Sequence, residues 1–268
     1  MQTECFSEKF NPNKKIDARE SLLHEGFSHY QLDIDYSETD QSLLFQEFAN
    51  LEEDPYASRG SNRFRRYENG IILPWKPQEI HWIPTIRRNG VNLSGYDQGK
   101  NNPEHSDMRY FNSLSERVKN SNILKDIITN DFDNTFWPTG GQNLPIYFGV
   151  HFVKLSIRSI YDKGISSPNC FHQDGEPFTF AHLVKRSCDV VGGVNYIGPI
   201  AFRDKSLKEI DRSQITKAFT LNDFLESFAV RDSVVTHHVE PISKLSNNNM
   251  LSERYMVLID FSIMMQVI

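Results

Sequence analysis

The most constraining feature of this chain is a set of five stretches in its second half. Residues 144–161, 178–184, 190–197, 232–242 and 255–264 are each rich in Val, Ile, Phe and Tyr. Turn-forming residues separate them, among them Gly192-Gly193 and Ser246-Asn-Asn-Asn249. Runs of this composition bounded by turns read as strands. Several partly alternate, as in Arg254-Tyr-Met-Val-Leu-Ile-Asp-Phe261. A β-rich half of this kind can close as a double-sheet jelly roll.

The first half reads differently. Residues 1–15 are polar and form a loose lead-in. Leu22, Leu23, Phe27 and Tyr30 have helical spacing and predict a short amphipathic helix over 17–30. Ser37-Glu-Thr-Asp40 supplies N-cap residues before Leu43, Leu44, Phe45, Phe48 and Leu51, a second helix. Residues 53–112 are rich in Arg, Asn, Pro, Tyr and Gly and read as short strands joined by long loops. Leu114, Val118, Leu124, Ile127 and Ile128 predict a helix over 113–131, and Thr220 or Asn222 caps a short one over 221–228. The expectation is a mainly β protein with flanking helices, a single domain over 1–268. Within it, 16–143 supplies helices and outer strands, and 144–268 a jelly-roll core that carries the site.

Charge and cysteine usage exclude several classes. Net charge is −6, from 29 basic and 35 acidic residues, so the basic footprint of a nucleic-acid binder is missing. No run approaches the ~20 apolar residues that a membrane helix needs. Cys5, Cys170 and Cys188 are odd in number and have no CxxC spacing, which argues against a disulfide framework or a structural zinc site. Together with a polar N-terminus that lacks a signal-peptide core, this reads as a cytoplasmic protein.

The chemistry concentrates in Asn169-Cys-Phe-His-Gln-Asp-Gly-Glu176. On an extended strand, residues two apart project from one face, so His172 and Asp174 can bind one cation together. A second histidine, His237, sits in the Val-rich stretch Asp232-Ser-Val-Val-Thr-His237-His-Val-Glu-Pro-Ile242, and Arg254 heads the last strong strand. His-x-Asp, a distant His and a later Arg is the chain order of an Fe(II)- and 2-oxoglutarate-dependent oxygenase. Two imidazoles and one carboxylate leave open positions on a six-coordinate iron for 2-oxoglutarate and O2. The distal carboxylate of 2-oxoglutarate then needs a permanent cation, and a bidentate Arg fits best. His238 is a competing ligand by composition, but on a strand it faces away from His237.

The stretch His172-Gln-Asp-Gly175, with Phe178-Thr-Phe-Ala-His-Leu-Val-Lys-Arg186 and Gly192-Gly193-Val-Asn195, resembles the bacterial 2OG-Fe(II) dioxygenase family that includes L-isoleucine 4-hydroxylase. Asp54-Pro-Tyr56, Arg63-Phe-Arg-Arg-Tyr67, Tyr96-x-Gln98, Asn101 and Gly149-Val-His151 resemble further pieces in the same order, so the likeness spans about residues 45–262. It implies a double-stranded β-helix with iron in its mouth, held by His172, Asp174 and His237. It implies Arg254 on the tail of 2-oxoglutarate, and hydroxylation of a free aliphatic amino acid. Pro168-Asn169-Cys170 departs from the family pattern, which lacks neither an acidic residue nor a glycine there. With Asp174 occupying its iron position, the resemblance implies hydroxylation rather than halogenation.

An amino-acid substrate needs a cation for its carboxylate and an acceptor for its ammonium. Arg63, Arg65 and Arg66 are the expected source of the cation, Arg66 foremost, with Arg186 and Arg109 behind them, and His151 is expected to line the pocket. Three other readings remain open on the residues alone. The same chemistry can serve a dipeptide or a natural-product intermediate. The three ligands can hold zinc in a hydrolase, which leaves Arg254 without a task. The fold can also serve a non-catalytic binder of small molecules.

Overall fold

The computed structural model describes residues 16–98, 101, 104 and 107–264. The expected lead-in over 1–15 and Cys5 lie outside them. The first half contains helix α1 (Ala18–His24), strand β1 (Phe27–Gln31), helix α2 (Glu38–Ala49), strands β2 (Arg63–Leu73), β3 (Lys76–Trp82), β4 (Ile86–Arg88), β5 (Val91–Tyr96) and β6 (Arg109–Asn112), and helices α3 (Glu116–Lys119) and α4 (Asn122–Asp133). Among the described residues, the second half contains only strands and short 3-10 turns. These strands are β7 (Ile146–Ile157), β8 (Phe178–Arg186), β9 (Val190–Gly192), β10 (Asn195–Gly198), β11 (Lys217–Phe219), β12 (Glu226–Arg231), β13 (Thr236–Val239), β14 (Ile242–Lys244) and β15 (Ser252–Ile263). None of the described helices is long and apolar enough to cross a membrane.

One large antiparallel sheet runs β1-β12-β8-β15-β7-β2-β3. Smaller sheets β11-β10-β13 and β14-β9 belong to the opposite wall of a jelly roll, and β4-β5-β6 forms a separate three-stranded sheet. The period-2 rule divides the large sheet into two faces. On β15, Tyr255, Val257, Ile259 and Phe261 join α2 and α4 residues in the main core. Their neighbours Arg254, Met256, Leu258 and Asp260 line a cavity on the other face. β7 and β8 divide in the same way, with Phe152 and Phe180 on the helix side and Val153 and Ala181 on the cavity side.

Several elements differ from the sequence expectation. The helix predicted over 17–30 stops at His24, because Gly26 takes a left-handed conformation (φ +80°) that reverses the chain. Phe27 and Tyr30 therefore belong to β1, paired with β12. The helix predicted over 113–131 is two helices, since Ser115 and Ser121 each cap a separate start. Residues 221–228 form a turn leading into β12, not a helix. The Glu226 carboxylate accepts from the Asn222 and Asp223 amides, and pairing with β1 and β8 overrides local helical spacing.

The stretch 232–242 splits into β13 and β14 at Pro241, and 190–197 splits at Gly192-Gly193. The largest difference concerns 53–112, where β2 is eleven residues long and pairs with β7 over ten positions. Its charged residues conceal a strand of the large sheet. Residues 16–143 thus contribute β1, β2 and β3 to that sheet, in addition to helices and outer strands.

The α2 helix follows expectation closely. Ser37 and Asp40 form a reciprocal capping box, and Leu44 and Phe48 are fully buried against the sheet.

Candidate metal centre

His172 precedes β8 in an irregular segment, and His237 lies on β13. Their backbones exchange two hydrogen bonds, His172 N–H to His237 O at 2.9 Å and His237 N–H to His172 O at 3.0 Å. That isolated antiparallel bridge sets the two imidazoles side by side, with ring centroids 4.2 Å apart. Asp174 completes the group. Its Oδ1 lies 3.5 Å from His172 Nε2, and its Oδ2 lies 3.5 Å from His237 Nε2. One donor atom from each residue falls within 4.8 Å of the others, close enough to hold one metal ion.

The surroundings orient these donors. His172 Nδ1 sits 2.9 Å from the Cys170 carbonyl oxygen. That oxygen can only accept, so Nδ1 carries the proton and Nε2 presents its lone pair to the cluster. The Asp174 and Gly175 amides donate to the two carboxylate oxygens of Asp232, at 2.9 and 2.7 Å. Gly175 is left-handed (φ +95°), and a Cβ there would collide with the Asn101 side chain.

The electrostatics suit a cation. Burial alone would raise the Asp174 carboxyl, but His237 and His172 outweigh it and hold Asp174 well below the usual carboxylate range. Burial, with His172 beside it, pushes His237 down to about 4, so its imidazole is neutral and free to ligate. This donor set, two imidazoles and an acceptor-only carboxylate, fits Fe(II) with open positions.

Arg254 lines the same cavity as the three donors. It is buried, its Nε has no partner, and among the described residues no carboxylate pairs with it. Burial, with Arg186 nearby, pushes its guanidinium down to about 9. A buried cation with nothing to neutralise it is costly unless an anionic ligand completes the site. The apolar part of the cavity lining is formed by Val153, Leu155, Ala181, Phe228, Met256 and Leu258.

The structure separates the other expected site residues. Alternation along β2 sends Arg63 and Arg65 into the cavity and Arg66 to the opposite face. There Arg66 is committed to Glu47 at 2.8 Å, Glu52 at 2.7 Å and the Asn50 carbonyl, so it does not line the pocket expected for it. Arg186 also lies outside the cavity lining. It donates to the Val190 and Gly192 carbonyls and so braces the β9 turn.

His151 does line the cavity. Arg65 Nη2 lies 2.5 Å from its Nδ1, and its Nε2 lies 2.8 Å from Asp260 Oδ2. A guanidinium only donates, so His151 accepts at Nδ1 and donates from Nε2. Burial, with Arg65 beside it, pushes His151 down to about 4, in keeping with a neutral ring.

His238 packs against Phe171 and Tyr196, with ring centroids at 5.4 and 6.1 Å, and stands outside the donor cluster. His238→Ala is therefore expected to leave metal content within about twofold of wild type, whereas His237→Ala loses the metal. Metal analysis of the purified variants checks this, and the reverse result would shift the ligand register by one residue.

Sequence reasoning assigned no role to Asp232, Glu176 or Asp260. For Asp260 a signal existed: it lies six residues after Arg254 on one strand, hence on the same face. Asp232 acts through backbone amides, which leave no side-chain pattern to read.

Comparison with known proteins identifies the family. The 2OG-Fe dioxygenase family matches residues 46–259, and the chain belongs to that family. It is a 2-oxoglutarate-dependent dioxygenase that uses Fe(II), 2-oxoglutarate and O2. L-isoleucine-4-hydroxylase from Bacillus thuringiensis is 28% identical over 195 residues, covering 70% of this chain and 75% of that protein. The crystal structure of IDO from Bacillus thuringiensis superposes with a TM-score of 0.69 at 22% identity, covering 92% of this chain and 94% of the other. A BsmA homologue from Methylobium petroleophilum PM1 gives 0.68 at 18% identity, with 91% of each chain covered. These two structures share the fold.

Proposed function

We propose that this enzyme hydroxylates an unactivated C–H bond of a free amino acid or an amino-acid-like small molecule. His172, Asp174 and His237 hold Fe(II), and Arg254 holds the distal carboxylate of 2-oxoglutarate. The observation that carries the assignment is the buried, unpaired Arg254 guanidinium in the cavity that also contains the three donors. A zinc hydrolase would leave that cation without a purpose.

When bound, Fe(II) with 2-oxoglutarate and O2 supplies the oxidising power for the reaction, which releases succinate and CO2. The protein supplies position and environment. The Cys170 carbonyl fixes the His172 tautomer, and Asp232 fixes the backbone that carries Asp174. Arg254 anchors the cosubstrate at one end, so that its keto acid end meets the donors. The apolar walls exclude water from the reacting bond.

The amino-acid part of the reading is supported by the likeness to L-isoleucine-4-hydroxylase. It is tested by succinate release from the Fe(II)-loaded enzyme with a panel of aliphatic L-amino acids that includes L-isoleucine. At least one member is expected to raise succinate formation at least tenfold above the substrate-free rate. If none does while 2-oxoglutarate still binds, the substrate is not a free aliphatic amino acid, and dipeptides or larger intermediates take its place.

A further inference from the structure

The cavity lining includes two ionisable side chains, Arg65 and Glu176, that the metal and 2-oxoglutarate assignments leave unused. Arg65 lines the cavity, and its guanidinium lies 4.5 Å from the Phe111 ring and 5.4 Å from the Tyr96 ring. One of its nitrogens meets His151, but its Nε is buried without a partner. Among the described residues no carboxylate pairs with it. Glu176 lines the same cavity, and its Oε2 is likewise buried without a partner. Glu176 and Tyr96 also share a second, more open cavity that adjoins the first.

Most charged groups around them have an ionic or polar partner. Asp260 pairs with His151 at 2.8 Å. Arg63 also lines the cavity and keeps a buried, unpartnered Nη2, but Asp54 at 2.7 Å already balances its charge. Arg109 meets Gln98 at 2.5 Å and does not line the main cavity. One buried cation and one buried carboxyl group with an unpartnered oxygen therefore line a single space. An orphaned buried polar group is expensive unless a ligand completes it. A guanidinium and a carboxyl group in one cavity match a ligand that carries both a carboxylate and an ammonium.

We infer that the substrate is recognised as a zwitterion, its carboxylate by Arg65 and its ammonium by Glu176. This rests on the assignment of an amino-acid substrate above and names the residues that select it. The α-amino carboxylate group would be held at the Arg65–Glu176 end, and an aliphatic side chain would lie along Val153, Met256 and Leu258.

The test is calorimetric binding to the anaerobic enzyme loaded with Fe(II) and 2-oxoglutarate. The probes are L-leucine, isopentylamine (the carboxylate removed) and 4-methylpentanoate (the ammonium removed), with L-valine, L-isoleucine and L-methionine alongside. Wild-type enzyme is expected to bind L-leucine at least tenfold more tightly than either truncated probe. Arg65→Met should weaken L-leucine and 4-methylpentanoate by roughly 10- to 100-fold, the range of a charge-assisted hydrogen bond, and leave isopentylamine unchanged. Arg65→Lys should restore part of the loss. Glu176→Gln should do the opposite, weakening L-leucine and isopentylamine but not 4-methylpentanoate.

Equal losses for all three probes would mark Arg65 and Glu176 as structural and overturn the inference, as would affinities unchanged in both variants. If wild-type enzyme binds none of the four amino acids while 2-oxoglutarate still binds, the amino-acid reading itself fails and takes the inference with it. Ligand-selective losses cannot come from misfolding, since the unaffected probe reports an intact cavity.

Discussion

His237→Ala is expected to eliminate detectable turnover by removing metal from the enzyme. The imidazole supplies one of three donors, and no described side chain stands ready to replace it. Removing a group that merely supports a ligand typically costs about 10–100-fold in metal affinity or activity. Removing a ligand itself should exceed that range. The backbone bridge to His172 survives the substitution, because the exchanged hydrogen bonds come from main-chain atoms. The variant should therefore fold, retain its sheet, and fail only in metal content and succinate release. His172→Ala and Asp174→Ala should behave alike. A His237→Ala enzyme that keeps a full complement of iron and wild-type turnover would refute the assignment.

Arg254→Met is expected to act on a different quantity. A buried charge whose partner is removed typically costs ~2–5 kcal/mol, so the KM for 2-oxoglutarate should rise by at least roughly 30-fold. Metal content should remain near wild type. The ligand-free protein should be no less stable, because the substitution removes a buried guanidinium that has no carboxylate partner and that lies near a second cation, Arg186. A buried structural arginine would give the reverse pattern, a lower melting temperature and an unchanged KM. Steady-state kinetics over a range of 2-oxoglutarate concentrations, with thermal melting of the ligand-free protein, separates the two.

The second half of the molecule is largely readable because its strands are made of Val, Ile and Phe, and because two of the three candidate metal donors, His172 and Asp174, stand two residues apart. His172, Asp174, His237 and Arg254 could be named from spacing and order, and the fold places all four around one cavity. The first half was harder because its central strand is built from charged residues. Arg63-Phe-Arg-Arg-Tyr-Glu-Asn-Gly70 has no apolar face of its own, yet it is the strand that brings Arg63 and Arg65 to the pocket. Once β2 is known to be a strand, alternation separates Arg65 from Arg66, which composition could not do. Asp232 and Glu176 depend on long-range proximity, through backbone amides in one case and an irregular loop in the other, and local pattern carries neither.

The most direct test of the account is an anaerobic UV–visible titration of the apoprotein with Fe(II) and 2-oxoglutarate. Wild-type enzyme is predicted to develop a weak metal-to-ligand charge-transfer band in the visible. Arg254→Met should reach the same band only at much higher 2-oxoglutarate, and His237→Ala should not develop it. A wild-type protein that binds zinc tightly and shows no band with Fe(II) and 2-oxoglutarate would contradict the assignment of the cavity.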